Sequence, residues 1–76
     1  MRVEKLKEII LSNFSHILFT YNGENCGIDP LGVSNFDVWY GDNNVNVDSI
    51  DKVTTVPIFD GKSLTEIISS ITDFEY

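Results

Sequence analysis

The sequence predicts a small α+β domain over residues 1–76, an antiparallel sheet of three to four strands with an N-terminal helix and two C-terminal helices (α-β-β-β-(β)-α-α). Three observations predict it. Val3, Leu6, Ile10 and Phe14, widened by Ile9, recur at the spacing of one helix face. Phe36, Val38 and Tyr40, then Val45 and Val47, alternate at the strand period on either side of a polar turn. Ser63 and Glu66 form a capping-box pair ahead of a stripe at Leu64, Ile67, Ile68 and Ile71.

In chain order, the first helix carries Glu4, Lys5, Lys7 and Glu8 on its polar face. The period then changes to two at Ile17, Phe19 and Tyr21, in a segment rich in aromatic and β-branched residues. Leu18 makes the other face of this strand partly apolar, which points to a sheet covered on both sides. Asn22-Gly23 supplies the positive φ angles of a type I′ hairpin turn, and a return strand over about Asn25 to Asp29 follows. Asp29-Pro30 is expected to end that strand, because proline lacks the ladder donor. Residues 30–35 read as a loop, 36–40 as a strand, Gly41-Asp42-Asn43-Asn44 as a turn and 45–47 as a short strand. Asp48 is placed as an N-cap, with Asp51 at the positive end of the helix dipole and Ile50 and Val53 facing inward. After Pro57 comes the capped final helix, beyond which Phe74 and Tyr76 either dock or fray.

Seventy-six residues make one domain at most, and at this size about 60% of the unfolded chain's surface becomes buried. A hydrophobic fraction of 42% with nine aromatic residues argues for a folded chain over a disordered one. Cys26 is the sole cysteine, so no internal disulfide forms, and its expected role is a small apolar side chain in a strand. The longest apolar run, Ile9 to Leu11, is too short for a signal segment or membrane span, and the expected location is the cytosol. Asn13-Phe14-Ser15 fits a glycosylation sequon by chance in that setting.

The net charge is −7, and residues 22–60 hold seven acids against Lys52 alone. Such a field repels phosphate backbones and anionic membranes, so the natural partner is a protein with a basic surface, and the bland alternative is acidity for solubility.

Asp42, Asn44, Asn46 and Asp48 imitate part of a calcium loop, but Val47 and Val53 occupy the positions of its glycine and its bidentate glutamate, so a hairpin turn is the better reading. His16 and Cys26 are too few for a zinc site, and no orienting residue or oxyanion loop accompanies them as a nucleophilic pair. Asp37 with Asp29 or Asp42 resembles an acid–base pair without a defined separation, in a chain small for a pocket of about 300 Å³. Asp60-Gly61-Lys62-Ser63 lacks the upstream glycine of a phosphate loop and reads as a turn into a capped helix. No catalytic residue, metal ligand or cofactor is assigned.

Cys26-Gly27-Ile28-Asp29-Pro30, Phe36-Asp37-Val38-Trp39-Tyr40-Gly41-Asp42 and Phe59-Asp60-Gly61-Lys62-Ser63-Leu64 together resemble short, acidic proteins of Gram-positive bacteria and their phages. That family has no assigned activity, so the resemblance carries over no functional residue. The order of elements and the acidity also look like small anti-CRISPR proteins, which imitate nucleic-acid charge to occupy basic channels, a likeness of architecture alone.

The functional expectation is a non-enzymatic interaction module, with an inhibitor or nucleic-acid mimic from a phage or mobile element as one form of it. Its face is assigned to Asp37, Trp39, Tyr40 and Asp42, joined by Asp29 and Glu24, because tryptophan and tyrosine beside carboxylates suit a basic partner. Trp39 points away from Phe36, Val38 and Tyr40, so it is displayed unless a helix covers that side. The alternatives are a self-associating domain that forms a homodimer, and a small enzyme using Asp and His16.

Overall fold

The computed structural model describes all residues, 1–76. Helix α1 (Val3–Asn13) leads into strands β1 (Ile17–Tyr21), β2 (Glu24–Gly32), β3 (Asn35–Tyr40) and β4 (Asn43–Val47). Helix α2 (Ile50–Thr55), the single turn α3 (Leu64–Ile67), a 3₁₀ turn at Ile68–Ser70 and strand β5 (Thr72–Glu75) complete the chain. The sheet is antiparallel throughout, in the order β4-β3-β2-β1-β5.

The expected α+β class with an antiparallel sheet is present, and its count of strands is corrected to five. The final helix is shorter than its apolar stripe suggested: Leu64 and Ile67 are buried, but Ile68 and Ile71 only half so. The chain then turns back as β5 along β1, pairing Thr72 with Thr20 and Glu75 with Leu18 across a register shift. Phe74 docks against the core from this strand.

Local chemistry explains the other boundaries. Asn22 and Gly23 have φ of 55° and 76°, the left-handed pair of a type I′ turn, and join Tyr21 to its partner Glu24. Strand β2 runs past Pro30 rather than ending there. β1 begins at Ile17, opposite Ile28, so beyond that point β2 has only β3 beside it and a residue without an N–H is tolerated. The turn after β3 is tighter than expected, two residues at Gly41-Asp42, and β4 accordingly starts at Asn43. Phe14 leaves the α1 stripe: it adopts φ 51° as the helix's C-terminal cap and is 38% exposed.

Ser49, not Asp48, caps α2, its hydroxyl accepting from the Lys52 N–H at 3.2 Å. Asp48 instead receives the Lys52 ammonium at 2.8 Å, which holds its carboxyl below the usual range. The capping box at Ser63 and Glu66 forms with both of its bonds, and the Thr65 hydroxyl donates to the Thr54 carbonyl at 2.8 Å, tying α3 to α2.

One cluster of fourteen buried apolar residues joins Leu6, Ile9 and Ile10 of α1 with Val53, Phe59, Leu64 and Ile67 and with the strand residues Ile17, Phe19, Cys26, Ile28, Phe36, Val38 and Val47. These strand residues share one side of the sheet by the two-residue period. All three helices therefore pack on that side, and the expected cover on both faces is corrected: the second face has no layer over it. Leu18, whose apolar character suggested a second layer, is 37% exposed there.

Candidate functional site

The uncovered face is built in registered rows. Asn44, Trp39, Gly27, Leu18 and Glu75 stand side by side across all five strands. On one side of this row lie Asn46, Asp37 and Asp29, and on the other Thr20 with its neighbours Asn25 and Thr72.

Trp39 is half-buried on this face, neither fully displayed nor under a helix. What shields it is its own sheet. The indole lies over Gly27, where an added Cβ would collide with Cζ2 and Cη2 of the ring. Glycine at this position lets a large aromatic ring lie close to the pleated surface.

Beside Trp39 the face sinks into an open cleft of about 370 Å³. Leu18, Thr20 and Asn25 line it together with Trp39, Asp73 and Glu75. Sequence alone gave little reason to expect a concavity of this size. On its β5 side the strand bulges, with Asp73 at φ 54° in the register shift against β1, and bulges bend a strand and re-aim its side chains.

Asp29 and Asp37 face each other directly across β2 and β3. Asn46 donates to the Asp37 carboxylate at 2.8 Å and to the Asn35 amide oxygen at 2.6 Å, and His16 Nδ1 approaches Asp29 at 4.0 Å. Of the six residues expected to form the interaction face, Asp29, Asp37 and Trp39 share it. Tyr40 does not. It packs on the helix side, edge-on to Phe59 with ring centres 6.3 Å apart and tilted against Tyr21, because consecutive strand residues point to opposite faces. Asp42 lies in the β3–β4 turn, and Glu24 begins β2 opposite Tyr21, with its carboxylate against Gly41.

Charge divides by layer. The strands and their hairpins carry Glu24, Asp29, Asp37, Asp42, Asp73 and Glu75 and no lysine or arginine, whereas Arg2, Lys5, Lys7, Lys52 and Lys62 all belong to the helical segments and their connections. There they meet Glu4, Glu8, Asp48, Asp51, Asp60 and Glu66, with Lys7 on Asp51 at 2.9 Å and Lys52 on Asp48. Nearly all of the net charge of −7 therefore resides in the sheet layer.

His16 and Cys26 are not a pair. Cys26 is buried on the helix side of β2 and burial pushes its thiol up to about 11, while His16 is exposed at the start of β1. No three His, Cys, Asp or Glu side chains converge as a metal-binding group. No helix is long and apolar enough to cross a membrane.

Asp73 and Glu75 were not among the residues singled out in the sequence. A signal was present in Thr72-Asp73-Phe74-Glu75-Tyr76, which alternates polar and aromatic residues, but the helical spacing of Ile67, Ile68 and Ile71 runs up to it. No family model, no curated protein and no solved structure matches the chain.

Proposed function

We propose that the protein is a non-enzymatic interaction module whose uncovered sheet face binds a basic surface of another protein. The observation that carries this reading is the segregation of charge: six carboxylates and no lysine or arginine in the sheet layer, with every basic side chain in the helical one. Acidity needed only for solubility has no reason to leave one layer without a single balancing lysine or arginine while the other, with as many carboxylates, holds all five. Clustered like charge costs stability through self-repulsion and gains attraction toward a basic partner. Such a face resembles nucleic acid in charge, which fits the inhibitor form of the reading.

The test is a charge-matched comparison, with polylysine as the probe. Asp29→Lys with Asp37→Lys alters net charge as much as Glu4→Lys with Asp60→Lys, but only the first pair lies on the sheet. Salt-sensitive binding should fall at least tenfold for the sheet pair and much less for the helical pair. Equal losses reject the face.

A second reading, homodimerisation, is favoured by the edge strand β4. Asn43–Val47 carries no charge and no proline, whereas the opposite edge, β5, is guarded by Asp73, Glu75 and a bulge. Strand β4 of a second copy would extend the sheet across this edge. Sedimentation at micromolar concentration decides it, with a strict monomer rejecting the dimer.

A further inference from the structure

We infer that the cleft beside Trp39 receives an arginine side chain of the partner protein. This rests on the basic-partner reading and names the group that is recognised. The cleft has three chemically distinct parts: the indole of Trp39, the carboxylates of Asp73 and Glu75 from β5, and the polar groups of Thr20 and Asn25 between them in the sheet. A guanidinium matches all three. It stacks on an aromatic face as a cation, and its planar fork presents five donors to carboxylate, hydroxyl and amide oxygens. Its aliphatic stem finds an apolar neighbour in Leu18, which lines the same cleft.

Lysine fits less well, since its ammonium is a compact point charge without a plane to stack. A nucleotide base would also stack, but its phosphates would meet Asp73 and Glu75 with no lysine or arginine in the sheet layer to offset them. At about 370 Å³ the cleft lies near the lower end of the range for ligand sites, which extends over about 300–1,000 Å³.

The test uses acetyl-glycyl-arginyl-glycine amide as ligand and the same peptide with citrulline, which keeps the shape and loses the charge. Titrations of the isotope-labelled protein are followed by two-dimensional NMR. The arginine peptide should shift the Trp39 indole N–H and the amides of Asp73 and Glu75, and the citrulline peptide should not. Asp73→Asn combined with Glu75→Gln should weaken arginine binding about fivefold, as expected for a pair of partly exposed ion contacts, while the dispersion of the spectrum verifies the fold.

Equal shifts from both peptides would show recognition indifferent to charge and overturn the inference, as would no shift at the cleft. Shifts confined to Asp29 and Asp37 would overturn it too while leaving the basic-partner reading intact. That broader reading fails on its own terms in the polylysine comparison.

Discussion

The indole of Trp39 rests across Gly27 of the neighbouring strand, where a Cβ on residue 27 would strike Cζ2 and Cη2 of the ring and come within 2.7 Å of the Ile17 carbonyl oxygen. One glycine thus sets the position of the only aromatic side chain on the uncovered face. Gly27→Ala must lift the indole, at a cost of about 1–3 kcal/mol for an overpacked site. A lower urea midpoint together with red-shifted tryptophan emission is the expected result. An unchanged emission maximum would mean that the ring is not seated over Gly27.

Asp29 and Asp37 are directly opposed like charges, an arrangement that destabilises a sheet. Asp37→Asn removes the repulsion and keeps an oxygen to accept from Asn46. Thermal unfolding should therefore move to higher temperature, by less in 1 M salt, where screening already weakens the repulsion. Polylysine binding should weaken in the same variant. Stability gained with binding lost marks a carboxylate retained for contact, whereas a parallel loss of both would make Asp37 a structural residue.

Which parts of this arrangement were legible beforehand follows from the range over which each signal acts. The I′ turn at Asn22-Gly23, the capping box at Ser63-Glu66 and the alternation through Phe36, Val38 and Tyr40 are local, and each appears where its residues placed it. Pro30 misled because tolerance of a missing N–H depends on whether a neighbouring strand reaches that far, which is a tertiary fact. The same holds for charge. Along the chain, Asp48, Asp51 and Asp60 belong with Asp29 and Asp37 in one acidic stretch, but the fold sends them to the helical layer and brings Asp73 and Glu75 to the sheet. Trp39 and Tyr40 adjoin in sequence and are separated by the thickness of a pleat.

Cys26 is 1% exposed, and burial lifts its thiol from the ordinary 9.0 to about 11. The folded protein favours the neutral thiol, so this contribution to stability is complete below pH 9 and is lost as pH rises from 9 to about 11, where the unfolded chain ionises and the folded chain does not. Cys26→Ala should flatten this part of the stability–pH curve even as it lowers stability overall. In the native protein a thiol reagent at pH 8 should react only as fast as the core opens, accelerating with urea. Immediate stoichiometric labelling would contradict the buried placement.

The capping box makes an acid-side prediction. The Ser63 backbone N–H and then its hydroxyl donate to the Glu66 carboxylate at 2.9 and 3.1 Å and hold its pKa below the ordinary 4.5. A lowered carboxyl stabilises the fold above its unfolded value, and the effect fades as pH drops through the folded one. Ser63→Ala also removes the acceptor for the Glu66 N–H and should cost about 0.5–2 kcal/mol at pH 7. The gap in melting temperature between variant and parent should narrow below pH 4. A constant gap from pH 7 to pH 3 would show that the bond from the Ser63 hydroxyl to the carboxylate adds nothing to the cap.

Strand β5 links stability to the cleft. Ending the chain at Ile71 removes Phe74 from the core margin, leaves β1 as an unpaired edge and takes away both Asp73 and Glu75. Loss of a half-buried aromatic costs less than the about 1.5–3 kcal/mol of a fully buried one, so the shortened protein should still fold, with a reduced urea midpoint. Its new edge, Ile17–Tyr21, is apolar and uncharged, the type of strand that pairs with copies of itself, so sedimentation should reveal more association than the full chain shows at the same concentration. Arginine-peptide binding should vanish while polylysine binding, carried by Asp29 and Asp37, is reduced but retained. Retention of arginine binding without β5 would remove Asp73 and Glu75 from the site.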